Sequence, residues 1–553
     1  DTLLAVVFLS IALMAAVTFR SARRTASLPV VETLRYYAPG ETRTQYSPRL
    51  DITLLAVGIL GYALVIYQSF SSGNVFTFLI GGLMAAALPF VPILIIVGAT
   101  RLATRSTTRV YELTSRACEP LAKNLHHIIR QNLARNPRRS SNIAIIIALG
   151  LGFGVFTLSF FASSQLNQTM QIRASLGADM VVQRYSFGPF PTQDPGFRYN
   201  LSAVQGVAEV AHVSSLSYVQ SFLPSGGSSY YGPYTPTQFF ALDPQPFFNV
   251  TQPESWYFAD GGATGALAAL EAPGRVVVTK ALADNSGLVP GAVIPLSATF
   301  WNGATQTSDT AYLNVTVGGI VRALPGVPGA AMGGFGFTAD VYAVYGSPKT
   351  FQKFEDLAQV SQQFGGNEAY FVRLQPGADW RAVKENVLAL GANNVQVYQE
   401  QIDQIQNNPG ARATSGFMAM EVAFIVVILT AGLCLILYAA TLERDAEFAA
   451  IIARGAGGWQ TAGLLVGEGF SILLVGLIVG AGMGVLTAYV ETDLLYSGLG
   501  STMQPLVPLL FVLPPQALLL LVLAPVAMFV GALVVSVRIA RMNVAKVLKM
   551  RGG

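Results

Sequence analysis

The sequence predicts a polytopic α-helical membrane protein, with seven transmembrane helices in this chain and a large extracytoplasmic α/β domain. Three observations carry that prediction. Hydrophobic residues are 52% of the 553 and charged residues only 12%, about half the charged share of an ordinary soluble domain. Apolar runs of spanning length, roughly 18 residues or more, recur at 2–19, 52–70, 75–100, 143–163, 417–442, 462–490 and 509–537. The intervening segment 164–415 is too polar to span and, at about 250 residues, long enough to fold around its own core.

The longest runs exceed about 20 residues, so tilt or kinks are expected, with Pro89, Pro92 and Pro525 as break points. Lys and Arg in short loops mark the cytoplasmic side. Segments 20–50, 101–141, 442–460 and 538–553 hold 22 of the 34 Lys and Arg, whereas 71–74 and 491–508 hold none. This contrast predicts a multi-pass protein of the cell (plasma) membrane, with a cytoplasmic carboxyl terminus and with 164–415 and the amino terminus outside. The cations follow the first apolar run instead of preceding it, which argues against a signal peptide and for a chain that continues a longer one. The two cysteines, Cys118 and Cys434, both lie outside 164–415, so no disulfide braces that segment.

ASLPVVETLR at 26–35 is echoed by ARMNVAKVLK at 540–549: Leu28-Pro29-Val30 and Leu34-Arg35 stand against Met542-Asn543-Val544 and Leu548-Lys549. The second copy follows a helix, a charged turn ERDAEFAAIIARGAGGWQ at 443–460, a glycine-rich helix and a final helix. Here the sequence resembles the FtsX-like permease family, the membrane subunits of ABC systems of the MacB and lipoprotein-release type. Glu443, Arg444, Glu447 and Ala453-Arg454-Gly455-Ala456 fit that family's charged turn, while Ile452 and Gly457 depart from it. RQNLARNPRRSSNIAIIIALGLGFGVF at 130–156 is similar to the family's basic elbow, with Arg130, Arg135, Arg138 and Arg139.

The resemblance implies a division of the chain. Residues 1–50 would be the last helix and basic tail of a first permease repeat whose remaining part is missing, and 51–118 two linking helices. Elbow and first helix of a second repeat would occupy 119–163, a MacB-like periplasmic domain 164–415, and three final helices with a coupling segment 416–553. It also implies a mechanotransmission system acting on a lipid, lipoprotein, peptide or antimicrobial compound. Its partner would be a separate cytoplasmic ABC ATPase, working as a dimer, and an extracellular binding protein is a further candidate partner. No G-x-x-x-x-G-K-[ST] loop occurs, so ATP and Mg belong to the partner, no cofactor is expected in this chain, and enzymatic chemistry is not expected of it.

The residues bear physical readings of their own. Leu121, Leu125, Ile128, Ile129 and Leu133 form one stripe of an interfacial helix that Asn136-Pro137 ends. Topology accounts for its basic cluster without nucleic acid. His126 and His127, about 100° apart on a helix and without ligand-spaced partners, read as interfacial and not as a metal site. Within 443–454, Phe448, Ile451 and Ile452 recur at helical spacing. Periodicity alone leaves a solvated hairpin open; the resemblance implies instead a coupling helix. There Phe448 and one Ile enter an ATPase groove, a burial on the order of 3–5 kcal/mol before ordering costs.

Gly476, Gly480 and Gly484 are spaced for close helix packing. Glu468 is an intramembrane acid, and an inner-side cation is its expected partner. In the outer segment, 312–321, 368–374 and 395–398 read as strands, and Asp379 as the cap of a helix with a Val383, Val387, Leu390 stripe, together a βαβ unit. The stretches 177–183 and 275–296 look like the strand, helix and small-barrel entry of MacB-type domains. Glycine- and proline-rich loops carry Tyr230, Tyr231, Tyr234, Phe335 and Phe337 as a candidate contact surface. Asn167, Asn200, Asn249 and Asn314 are N-x-[ST] glycosylation candidates. No catalytic grouping is evident, and His212 has no partner at recognisable spacing. The competing reading is a membrane-anchored receptor or scaffold that recruits or regulates an extracellular enzyme or peptide.

Overall fold

The computed structural model describes residues 48–70, 90–106, 108–117, 126–135, 137–184, 195–229, 232–234, 237–259, 261–302, 306–327, 342–360, 368–496 and 507–541, with Ala15 and Phe19. The rest of the expected span 2–19, the first sequence echo at 26–35, the second echo beyond Arg541, the start of the span at 75, Leu121, Leu125, Tyr230, Tyr231, Phe335 and Phe337 lie outside those residues. Among the described residues, five helices precede the sheet domain: α1 (Arg49–Phe70), α2 (Val91–Ser106), α3 (Thr108–Ala117), α4 (His126–Arg135) and α5 (Pro137–Leu176). Pro137 opens α5, where its missing N–H costs nothing.

Glycines set the spacing of α1 and α2. A Cβ on Gly58 would meet the Ile95 side chain at 2.5 Å, and one on Gly98 the Leu55 backbone nitrogen at 3.0 Å. Arg101 Nε donates to Asp51 Oδ1 across the same pair, and the Asp51 side chain is buried.

The sheet domain follows. Its elements are β1 (Met180–Arg184), α6 (Pro195–Ser202), β2 (Val207–Ser215), β3 (Val219–Ser221), β4 (Pro224–Ser229), β5 (Gly232–Tyr234) and β6 (Gln238–Leu242). Next come α7 (Pro244–Thr251), α8 (Gly262–Glu271), β7 (Arg275–Thr279), α9 (Lys280–Ser286), β8 (Val293–Asn302) and β9 (Thr307–Val321). The last are β10 (Ala343–Gly346), α10 (Pro348–Val360), β11 (Glu368–Leu374), α11 (Trp380–Ala389), β12 (Asn394–Val397) and α12 (Tyr398–Asn407). Ten strands form one mixed sheet in the order β12-β1-β11-β2-β6-β10-β7-β9-β8-β3, and β4 and β5 pair as a separate hairpin.

Alternation buries both faces of this sheet. Met180, Val182, Tyr370 and Val372 face one core with Phe197, Val383 and Val387, whereas Val181, Ala369 and Phe371 face another with Phe247 and Leu270. Asp379 caps α11, its Oδ1 accepting from the Arg381 backbone nitrogen at 3.1 Å. Two details differ from the sequence reading. Strand β1 lies between β11 and β12 and is antiparallel to both, so the βαβ unit is split by a strand from far earlier in the chain. Leu390 is the C-cap of α11 and half-exposed, so the buried stripe is Val383 and Val387.

The chain then returns to the bundle through α13 (Pro409–Glu443), α14 (Asp445–Ala453), α15 (Gly458–Tyr496) and α16 (Pro515–Ala540). Among the described residues, four helical stretches are long and apolar enough to cross a membrane: Ser140–Leu176, Gly416–Leu442, Gly458–Leu495 and Pro515–Arg538. At 1.5 Å per residue, the 40 residues of α5 run about 60 Å, twice the roughly 30 Å of a hydrocarbon core. Its far end therefore serves as a stalk. Ala174 and Leu176 are buried in the sheet-domain core, and the Gly326 backbone nitrogen donates to the Ala174 carbonyl at 2.9 Å. Gly177, at φ +71°, turns the chain from α5 toward β1 where a Cβ would strike the Pro325 backbone.

The bundle is drawn together where α5 crosses α15. A Cβ on Gly480 would lie 2.6 Å from the Ala148 carbonyl oxygen, and one on Gly152 2.6 Å from the Gly480 carbonyl oxygen. Gly484 abuts the Gly152 backbone, and a Cβ on Gly476 would lie 2.7 Å from the Ile147 side chain. Small residues at this spacing let two backbones touch, which is how helices gain dispersion energy where lipid removes the hydrophobic drive. Gly480→Leu is expected to destabilise the purified protein by about 1–3 kcal/mol. Gly482→Leu, at a glycine whose added Cβ meets nothing within 4 Å, should leave it unchanged. Thermal unfolding in detergent reads both.

Candidate functional site

The short helix α14 joins α13 to α15 at the end of the bundle opposite the sheet domain, because α13 begins beside that domain and ends at this turn. Arg444 is both the last cap of α13 and the first of α14, at φ −110° and ψ 13°. Its guanidinium is shared: Nε donates to Glu447 Oε2 at 2.8 Å and Nη1 to Glu468 Oε2 at 3.1 Å. The Arg444 and Glu468 side chains are 18% and 17% exposed, so this pair is largely withdrawn from water, whereas Glu447 stands open to it. Arg444 Cζ also lies 5.2 Å from the Phe448 ring centroid.

Phe448 corrects the sequence reading. It is fully buried, within the same core as Leu437, Leu465 and Ile472, and so is unavailable to a partner's groove. The cause is geometric: α14 folds back on α15, which turns the large ring of its apolar side into the chain's own bundle. Ile451 and Ile452 are half-buried. The outward surface consists of Glu447, Ala450, Ala453, Arg454, Gly455 and Trp459, and Trp459 is 67% exposed. Gly455 adopts φ +100°, ending α14, and a Cβ on Gly458 would strike the Ala540 carbonyl at the end of α16. Glu443 is the last residue of α13.

The elbow is built as two helices. Ile129 and Leu133 of α4 are fully buried in the bundle core, Ile128 is half-exposed and Arg130 faces outward within 3.8 Å of Glu112 on α3. Arg135 ends α4, and Arg138 and Arg139 lie in the first turn of α5. His127 is exposed.

Asn167 is also corrected. It is 2% exposed within α5, its Nδ2 donating to the Ser163 and Leu510 carbonyls at 2.8 and 2.9 Å and its Oδ1 accepting from the Leu510 nitrogen at 3.0 Å. A glycan would need that same nitrogen, so the tripeptide serves instead to pin the segment before α16. Asn200, Asn249 and Asn314 are exposed on α6, α7 and β9.

Two buried or half-buried acids were missed in the sequence: Glu421, inside the apolar run 417–442, where such an acid is itself a signal, and Glu491, just past the run 462–490. Glu421 Oε1 accepts from Thr157 Oγ1 at 2.7 Å, tying α13 to α5, and Glu491 is buried near the end of α15. The sheet domain gathers His212 with partners from other strands. Its buried Nε2 lies 3.7 Å from Glu368 Oε1, and Tyr370 Oη donates to Glu368 Oε2 at 3.1 Å. Burial pushes the Glu355 carboxyl, on α10, up to about 7; nearby His212 opposes that rise, while Asp356, Asp243 and Glu368 add to it. Among the described residues, no group of three or more His, Cys, Asp or Glu could hold a metal ion.

Long apolar helices, a buried arginine–acid lock at one end and a two-faced sheet domain at the other define a polytopic membrane protein with an appended α/β domain. Residues 419–544 match the family model FtsX-like permease C-terminal, a stretch that spans α14 with its lock, α15 and α16. No curated protein matches the chain.

Two outcomes follow from these geometries. Arg444→Met should cost more stability than Arg444→Met with Glu468→Gln, since the single change strands a half-dry carboxylate; a double-mutant cycle is expected to give a coupling on the order of 1–2 kcal/mol. In the sheet domain, the raised Glu355 carboxyl makes the folded chain hold a proton that the unfolded chain releases near pH 4.5. Stability is therefore expected to fall as pH rises from about 4.5 to about 7 and to level off above, and Glu355→Gln to flatten that slope in melts taken across the range.

Proposed function

We propose that the protein is the transmembrane permease subunit of an ABC system of the mechanotransmission type, moving a lipid, lipoprotein, peptide or antimicrobial substrate on the outer side. The observation that carries this reading is the coincidence of the family match at 419–544 with a turn whose outward face is unoccupied by the chain's own bundle. A cytoplasmic ATPase dimer, holding ATP and Mg, grips Glu447, Arg454, Gly455 and Trp459. Phe448 and the Arg444–Glu468 pair hold the turn rigidly to α15, so force applied outside is passed inward rather than absorbed. The bias travels along α15, through the glycine crossing to α5, and up the stalk into the sheet domain.

Charge distribution supports the orientation: among the described residues, Arg444, Arg454, Arg538 and Arg541 fall at the end bearing the turn, and the sheet domain lies at the other. The expected spans at 2–19, 52–70 and 75–100 complete the seven. Copurification of the full chain with its nucleotide-binding subunit tests the assignment. Trp459→Asp with Arg454→Glu is expected to abolish copurification and to lower substrate-stimulated ATP hydrolysis at least tenfold, with the fold intact by circular dichroism. Unchanged assembly and hydrolysis would remove the coupling role and leave the receptor or scaffold reading.

A further inference from the structure

One face of the sheet is divided. Along β2, Val210, His212 and Ser214 point to the same side. Val210 belongs to the core beneath α6 and α11, with Phe197, Val383 and Val387. Ser214 stands opposite Ala241 of β6, which belongs to a second core beneath α9 and α10, with Leu282, Phe351 and Phe354. A polar seam around His212 separates the two. On the reverse face Val181, Phe240 and Val277 share a single core, so the two halves of the sheet are continuous there. The strands that join the halves, β2 and β6, pair only through Val213, Ser214 and Ser215 against Leu242, Ala241 and Phe240, a short ladder about which one half can swing.

Both halves contribute titratable groups to the seam. His212 Nε2 lies 3.7 Å from Glu368 Oε1 of β11, and Tyr370 Oη donates to Glu368 Oε2 at 3.1 Å. His212 is 3% exposed, and its Nε2 finds no hydrogen-bond partner among the described residues. From the other half α10 brings Glu355, half-buried and close enough to interact electrostatically with His212, Glu368, Asp243 and the Tyr218 hydroxyl. Asp243 is answered by Arg198 of α6 at 2.7 Å, and Asp356 is exposed. Lys353 of α10 is engaged elsewhere, donating to the Tyr312 carbonyl at 3.0 Å, and neither β6 nor β8, against which α10 packs, carries a charged residue. Glu355, Glu368 and His212 are therefore left to share protons.

Burial holds a proton on Glu355 up to about 7. With that proton in place and another on His212, an imidazolium faces Glu368 and the three groups carry no net charge. With both gone, Glu355 and Glu368 are like charges in a half-dry seam. Glu368 is fixed by strand pairing on both sides, to β1 and to β2, whereas α10 is held by its apolar face alone, so α10 is the element that yields. We propose that this seam is a proton-operated joint: protonated, it holds α10 and its core against the half bearing α6 and α11; deprotonated, it releases them. The inference rests on the fold of the sheet domain and not on ATPase coupling.

The full chain in lipid nanodiscs, with Cys118→Ser and Cys434→Ser, tests this by the distance between spin labels placed across the seam at Tyr199→Cys on α6 and Gln352→Cys on α10, both exposed positions. A control pair at Tyr199→Cys and Leu388→Cys spans α6 and α11 within one half. The cross-seam distance is expected to lengthen by several ångströms between about pH 5 and about pH 8, with the change complete above about 7, while the control distance stays constant. Glu355→Gln, which mimics the protonated carboxyl, should hold the short distance at both pH values. His212→Gln removes the charge that opposes the proton on Glu355 and should carry the lengthening to higher pH. A cross-seam distance that ignores pH, a control pair that lengthens equally, or a change that survives Glu355→Gln overturns the joint. A pH dependence unmoved by His212→Gln overturns the part assigned to His212.

Discussion

The backbone of α5 rests directly on the backbone of α15, and the remaining architecture depends on that contact. Gly152, Gly480 and Gly484 meet with no side chain between them, and no residue larger than glycine fits there without displacing a main chain. In lipid no hydrophobic drive separates helix from solvent, so close approach and dispersion must hold the pair. The two helices concerned are also the longest in the described chain, at 40 and 39 residues. One reaches into the sheet domain and the other carries the arginine lock, so their crossing is where the two ends of the molecule meet.

Each end is tied in a different way. At the domain end, Ala174 and Leu176 are buried in the sheet core, while Gly177 and Gly326 bring loop backbone onto the helix terminus. Ser163 and Asn167 add hydrogen bonds to the extended stretch before α16, with the Val512 nitrogen donating to Ser163 Oγ at 3.0 Å. At the other end Arg444 serves Glu447 and Glu468 at once and covers Phe448. A half-buried charge is tolerable there because it is satisfied twice and lies over an aromatic face. Neither terminus is a loose joint, which is what the proposed transmission of displacement along this helix pair requires.

Much of this was legible because period and punctuation are local. Long apolar runs gave α13, α15 and α16, alternation gave β9 and β11, and the Asp379 cap lies three residues before Ala382 in a helix whose buried side is Val383 and Val387. The glycine spacing on α15 could be read as a packing face, although its partner glycine, Gly152, lay in a run where nothing distinguishes it from its neighbours. What escaped depends on partners distant in sequence. Phe448 has the same spacing whether its ring points to a partner or to its own bundle, and only the fold-back of α14 decides between them. Asn167 carries a formal glycosylation tripeptide, but its contacts come from Leu510, far along the chain. The insertion of β1 between β11 and β12 likewise leaves no local trace, since a strand's alternation does not specify its neighbours.

The central claim, that a cytoplasmic motor at the 444–459 turn moves the sheet domain through the α5–α15 crossing, is most directly tested by hydrogen–deuterium exchange on the full chain assembled with its ATPase, with and without a trapped nucleotide. The account predicts that nucleotide alters protection both at the turn and at the stalk junction around Gly177 and Gly326, and that a bulky residue at Gly152 uncouples the second change from the first. Altered protection at the turn with an unresponsive junction, or a junction response that survives disruption of the crossing, would contradict it.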